Sequence, residues 1–176
     1  MPKPFAAAAA TAALALTGCT TLADVPTTRV GQASLSFANG LPAGPAQLVR
    51  DGSGLRILVA TTGMTPGPRG VHLHTTGKCE APGFTSAGGA LNAGGRKHGT
   101  QAPGGPHPGD LPNISIGQSG SGTLTEMIPG GETAMAAIFD GDGTAVIIHA
   151  GADDYVTDPS GNSGERVACG VLRRIE

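Results

Sequence analysis

Beyond residue 28 the chain consists of short runs in which apolar and polar positions alternate, each closed by glycine, proline, asparagine or aspartate. Successive side chains of a strand point to opposite faces, so a period of two predicts half-buried strands. Arg29 to Phe37 is the first such run, ended by Asn39-Gly40 and Pro42. Ala46 to Arg50 and Leu55 to Thr62 flank Asp51-Gly52-Ser53-Gly54, a hairpin signal. Gly70 to His74 follows the break at Pro66-Gly67-Pro68. Ile114 to Ile116, Thr123 to Ile128, Ala134 to Phe139, Thr144 to Ala150 and Arg166 to Leu172 continue the strand pattern. Thr75 to Pro112 keeps no period of either kind, and Gly151 to Glu165 is a second long polar loop. The expectation is an all-β sandwich or flattened barrel of about eight strands, with two long functional loops, no helix and no internal repeat.

Composition sharpens this picture in three ways. Gly 30 and Pro 14 in 176 residues make one quarter of the chain, which opposes long helices and approaches the low-complexity range. A net charge of only −2 argues against disorder, which couples low hydrophobicity to high charge. With no Trp, one Tyr and four Phe, the core must be aliphatic. Nucleic acid is excluded as an obvious partner, since the chain has three lysines and no basic stripe.

The first residues read as an address. Lys3 precedes an Ala/Leu run from Phe5 to Leu16, too short to span a bilayer as a permanent helix. It ends in Leu16-Thr17-Gly18-Cys19, which resembles a bacterial lipobox, where cleavage precedes the cysteine and its thiol is lipidated. This predicts a lipoprotein signal peptide over 1–18, a lipidated tether over 19–28 anchored through Cys19, and a folded domain over 29–176. The mature protein would sit on the periplasmic face of a bacterial membrane, held by its acyl chains. With Cys19 lipidated, Cys79 and Cys169 remain, an even count that predicts a disulfide in an oxidising compartment; two buried thiols are the alternative.

Candidate chemistry rests on five histidines. His72 and His74 flank Leu73, so on a strand both imidazoles share one face, roughly 6.6 Å apart, while Leu73 points into the core. Such a pair can chelate copper or zinc, although alone it fits an ordinary exposed face equally well. In the long loop, His98, His107 and Asp110 form an H-x8-H-x2-D cluster able to wrap Zn²⁺, against which stand solvated loop residues and a turn-capping Asp110. His149 ends the apolar run Ala145 to Ile148, where a hydrogen-bonded strand end is the plain reading.

The order of these segments carries more than any one of them. Gly70-Val71-His72-Leu73-His74, Ser86-Ala87-Gly88-Gly89, Arg96-Lys97-His98-Gly99, Gly109-Asp110-Leu111 and Gly164-Glu165-Arg166-Val167-Ala168-Cys169-Gly170-Val171 together resemble the Cu/Zn superoxide dismutases. The resemblance covers about Ala33 to Leu172 and is nearest the bacterial secreted branch, in which a cysteine closely follows the first histidine pair, as Cys79 does. It implies a Greek-key fold of eight strands, His72, His74 and His149 as copper ligands, and His98, His107 and Asp110 as zinc ligands. It further implies a Cys79–Cys169 disulfide, Arg166 as the catalytic arginine that attracts superoxide anion, and Asp153 as the carboxylate linking the two metal sites. Gly151 to Glu165 matches the family's electrostatic loop, and a homodimer is compatible with the resemblance.

One position departs from that family. Its members place after Ser-Ala-Gly-x a histidine whose imidazolate bridges copper and zinc; here the place holds Ala90, and Ala93 replaces the usual proline three residues later. Copper would keep three imidazoles, and zinc two imidazoles and a carboxylate. Reduced or pH-sensitive dismutation and weaker zinc retention are therefore expected. Rival readings are a non-catalytic copper- and zinc-binding lipoprotein, a structural relic and a zinc hydrolase; six retained ligand positions count against the relic, and the want of a recognisable nucleophile or base counts against the hydrolase.

Overall fold

The structure, a computed structural model, describes Met1 and residues 27–52 and 54–175. The expected signal peptide beyond Met1, Cys19 and the tether as far as Pro26 lie outside the described residues.

Alternation builds the sheet. In β1 (Thr28–Phe37) Ala33 and Leu35 are buried between exposed Gln32 and Ser34, and in β3 (Gly54–Thr61) Leu55, Ile57, Val59 and Thr61 all face inward. β2 (Pro42–Asp51) begins earlier than the sequence pattern indicates, because Pro42 and Pro45 lie opposite β1 before the ladder to β3 starts at Ala46. Proline, lacking an N–H, is tolerated where only one side of a strand is paired. The remaining strands are β4 (Gly67–His74), β5 (Asp110–Ile116), β6 (Gly122–Ile128), β7 (Ala145–His149), β8 (Arg166–Val171) and the short β9 (Arg173–Arg174).

One antiparallel sheet runs in the order β5-β4-β7-β8-β1-β2-β3-β6, with β9 added beside β1. The β4–β7 and β3–β6 pairings skip over intervening elements, as in a Greek key. The outermost strands, β5 and β6, then pack on each other and bring the sheet to near closure. At that seam Gly122 lies directly over β5: a Cβ there would come within 2.6 Å of the Ser115 carbonyl oxygen. The expected all-β Greek-key barrel is thus the observed fold, filled by aliphatic side chains such as Leu35, Leu48, Ile57, Leu73, Ile114 and Ile148. Full burial of each such side chain stabilises by about 1.5–3 kcal/mol.

Two expectations change. Ala134 to Phe139, read as a strand, belongs to a helix, α1 (Gly131–Ile138), and the expectation of no helix fails with it. The segment Glu132-Thr-Ala-Met-Ala-Ala-Ile is rich in good helix formers, and its two buried side chains, Ala134 and Ile138, are four residues apart, the spacing of one helix face. The first long loop is also shorter than expected, because Asp110 to Pro112 already belong to β5.

The site is positioned by the outer face of β4, β7 and β8. Val71, Leu73, Val146 and Ile148 point into the barrel, whereas Ala145, Ile147 and Cys169 point outward beneath Phe84 and Ala87 of the first loop, forming a second small core. The Cys79–Cys169 disulfide ties that loop to β8 across 90 residues. The loop is stitched to β4 as well: Leu91 N–H donates to Leu73 O, Leu73 N–H to Gly109 O, and Gly109 N–H to Leu91 O.

Candidate metal centre

His72 and His74 leave β4 on its outward face and His149 leaves the end of β7, all three buried. A break in the β7–β8 register between Ile148 and His149 sets His149 opposite Arg166, so the bulge turns both side chains toward the loop-covered face. Each ring has one nitrogen committed. His74 Nδ1 donates to Gly88 O at 2.9 Å, His149 Nδ1 donates to Gly164 O at 3.0 Å, and His72 Nε2 donates to Asp153 Oδ2 at 2.7 Å. A neutral imidazole with one N–H so used presents a bare lone pair at the other nitrogen.

The three lone pairs converge. His72 Nδ1 and His149 Nε2 lie 3.1 Å apart, and His74 Nε2 is buried with no hydrogen-bond partner. Burial pushes His74 down to about 3 despite its bond to Gly88, and likewise His149 to about 4, so both rings are neutral near pH 7. Three unprotonated nitrogens facing one point repel one another unless a cation lies between them. The donor set therefore fits copper.

A second group forms beside it. His107 Nε2 donates to Arg96 O at 3.0 Å, leaving Nδ1 bare 3.2 Å from Asp110 Oδ1. His98 Nε2 bonds the Asp153 carboxylate, leaving Nδ1 buried, 2.9 Å from Asp110 Oδ1 and without a hydrogen bond. The other oxygen of Asp110 accepts from Gly99 N–H at 2.8 Å and His107 N–H at 3.0 Å. Two nitrogens and one oxygen, all acceptors, thus face one another, which suits Zn²⁺. Two groups of metal-competent atoms, His72/His74/His149 and His98/His107/Asp110, each lie within 4.8 Å, and a third, His72/His98/Asp153, overlaps both.

Asp153 stands between them, bonded to His72 of one group and His98 of the other. Burial alone would raise its pKa, but the hydrogen bonds from His72, His98 and the Tyr155 N–H hold it well below the usual carboxylate range. Gly161, at φ +61, lets the second loop close over this carboxylate; a Cβ there would overlap Asp153 Oδ1.

Arg166 opens β8 with its guanidinium tied to Phe84 O and Gly88 O, both at 2.7 Å. Burial lowers its pKa, yet it stays cationic. It shares a pocket of about 220 Å³ with His72, His74, His149 and Ala90. Ala90 forms a backbone bridge with His74 and brings only a methyl group to that pocket. The structure thus places His72, His74, His149 and Arg166 around one pocket, His98, His107 and Asp110 beside it with Asp153 between, and Cys79 bonded to Cys169 in the second small core; Cys19 lies outside the described residues. Sequence reasoning missed the anchors: the carbonyls of Phe84, Gly88, Arg96 and Gly164; Asn113, whose side chain bonds the Asp153 backbone; Tyr155, whose hydroxyl accepts the Asn113 N–H; and Asp158, which accepts the His98 N–H. Backbone carbonyls leave no trace in residue identity, and the partners of Asn113 and Tyr155 lie about 40 residues away along the chain.

The profile of the copper/zinc superoxide dismutase (SODC) family matches residues 43–172. Superoxide dismutase 2 (Cu-Zn) of Aquifex aeolicus is 39% identical over 145 residues, spanning 80% of this chain and 85% of its own length. Among solved structures, a SOD-like protein from Bacillus subtilis aligns with TM-score 0.77 at 36% identity, over 83% of this chain and 100% of that one. The Cu/Zn superoxide dismutase from Brucella abortus aligns with TM-score 0.65 at 26% identity, over 84% and 100%.

Proposed function

The chain belongs to the copper/zinc superoxide dismutase family, and from that premise we propose that it disproportionates superoxide at a copper ion held by His72, His74 and His149. The observation that carries this reading is the convergence of three bare ring nitrogens beside a half-buried arginine. Two superoxide anions and two protons give O₂ and H₂O₂. Copper, alternating between two oxidation states, supplies the electron transfer when bound.

The chain's own residues do the rest. Gly88, Gly164 and Asp153 fix the tautomers that keep three nitrogens free for metal. Arg166, locked by two carbonyls, presents positive charge at the pocket and draws in the anion although the chain is net negative. His98, His107 and Asp110 would hold zinc, and their mutual contacts brace the first loop. Ala90 offers no nitrogen to span the metals or carry a proton, so proton delivery falls to water and turnover is reduced. The same substitution favours a second reading, a copper- and zinc-binding protein without turnover. In either case a lipid anchor at Cys19 would hold the domain on the periplasmic face of the membrane.

Elemental analysis and superoxide decay rates, measured on this protein and on Ala90→His, test the reading. Bound copper with measurable dismutation that rises in Ala90→His supports it. Stoichiometric copper with no superoxide consumption selects the binding protein, and equal rates with equal metal retention remove Ala90 as the cause of reduced turnover.

A further inference from the structure

Because Ala90 carries no donor atom, no imidazole at that position spans the two groups. Among the described residues, only Asp153 hydrogen-bonds a histidine of each. Asp153 lies on an irregular loop, and a loop carboxylate can serve two rings at once only if its own backbone is held.

Asn113 holds it. The Asn113 side chain donates from Nδ2 to Asp153 O at 2.9 Å and accepts the Asp153 N–H on Oδ1 at 2.8 Å, a reciprocal pair spanning 40 residues. The backbone N–H of Asn113 donates to the Tyr155 hydroxyl at 2.9 Å, and the Tyr155 N–H donates to Asp153 Oδ1 at 2.7 Å. Asp153, Tyr155 and Asn113 therefore close a ring of bonds around the carboxylate. Tyr155 sits at φ 64, a left-handed conformation that costs a bulky residue energy and persists only where the surroundings impose it.

The local fold explains why Asn113 is free to do this. Between Arg69 and Val71 the β4–β5 register slips, and Pro112, beside Asn113, has no N–H to pair. Gly70, at the slip, gives its own N–H to Gly151 O, and a Cβ on it would come within 2.9 Å of Ser163 Cβ and 3.5 Å of Asp153 Cβ. The ladder thus opens where the second loop descends, and Asn113 turns from β4 to that loop.

We propose that Asn113, assisted by Tyr155, is a positioning residue through which occupancy of one metal group sets the affinity of the other. This rests on reading the two histidine groups as metal sites. Filling the copper group fixes His72, and with it Asp153, whose clamp leaves the carboxylate one orientation. His98 is then aimed with Nδ1 toward Asp110 before zinc arrives. The ordering cost is met once, by whichever metal binds first, and the second binds more tightly.

The test titrates Zn²⁺ into the metal-free and the Cu²⁺-loaded chain by calorimetry and records the Cu²⁺ paramagnetic resonance spectrum with and without Zn²⁺. The parent should bind Zn²⁺ about tenfold more tightly once copper is present, and zinc should shift the copper spectrum. Asn113→Ala should bring the affinity ratio to within about twofold of unity and abolish the shift, because no metal ligand is touched. Tyr155→Phe, losing one hydroxyl, should lower the ratio to about threefold, and it alone decides the matter if Asn113→Ala fails to fold. A merely structural role would weaken both metals together and leave the ratio unchanged, which overturns the proposal. Independent binding in the parent overturns it while leaving the dismutase reading intact; no metal binding at either group sinks both.

Discussion

The His72/His74/His149 group, proposed for copper, stands on strands, and the His98/His107/Asp110 group, proposed for zinc, hangs mostly from a loop. His72, His74 and His149 take their direction from the pleat of β4 and β7, so one further bond per ring, to Gly88 O, Gly164 O or Asp153, is enough to aim each. His98, His107 and Asp110 have no such scaffold before the first residue of β5 and are cross-braced instead: Asp110 by two backbone N–H groups, His107 by Arg96 O, and the His98 N–H by Asp158. A site on a sheet inherits rigidity from the core beneath it, whereas a site on a loop must assemble its own.

The largest expected effect is acid unfolding of the metal-free chain through the strand-borne group. His74 and His149 titrate at about 3 and about 4 in the folded state against 6.5 unfolded, so the unfolded chain takes up protons first as pH falls. Stability from this source should be fully present above about pH 6.5, decline toward pH 4 and 3, and change no further below; each unit of depression is worth about 1.4 kcal/mol. Denaturant titrations of the metal-free protein from pH 7.5 to 4 measure this, and a flat profile would break the contrast between the groups.

Replacing Cys79 and Cys169 by serine should cost about 4–5 kcal/mol in denaturant unfolding, the chain-entropy figure for a loop of this size. It should also loosen the segment whose Phe84 and Gly88 carbonyls anchor Arg166 and His74. Copper should stay bound in the folded variant, because the disulfide serves the aim of His74 and Arg166 and not the placement of the three histidines on β4 and β7; loss of copper would break the contrast. The smallest effect is predicted for Asp158→Ala, which removes the acceptor of the His98 N–H at 3.1 Å. Zinc affinity should fall about tenfold with copper affinity unchanged, as read by competition with a chelator of known strength; equal losses of both metals would erase the distinction.

The same contrast governed how much could be read from residues alone. His72-Leu73-His74 declares its geometry, since a period of two puts both rings on one face and Leu73 in the core, where it is fully buried. His98, His107 and Asp110 are separated by glycines and prolines whose path no period dictates, and only family resemblance joined them to the strand histidines. Asn113 and Tyr155 were invisible because their bonds join positions about 40 residues apart at a slip in strand register. α1 was misread for a different reason: the six residues from Ala134 to Phe139 are all apolar, so no polar position marks a period of two against one of 3.6.

The seam between β5 and β6 matters for the molecule's behaviour in company. An open sheet ends in two rows of unpaired backbone donors and acceptors, each a template on which another chain can add a strand. Here the two margins face each other, and the close seating of Gly122 over Ser115 leaves little room for an intruder. A side chain forced in at Gly122 would pry that joint apart, so the hazard of such a change is fibril-like self-association before any loss of chemistry.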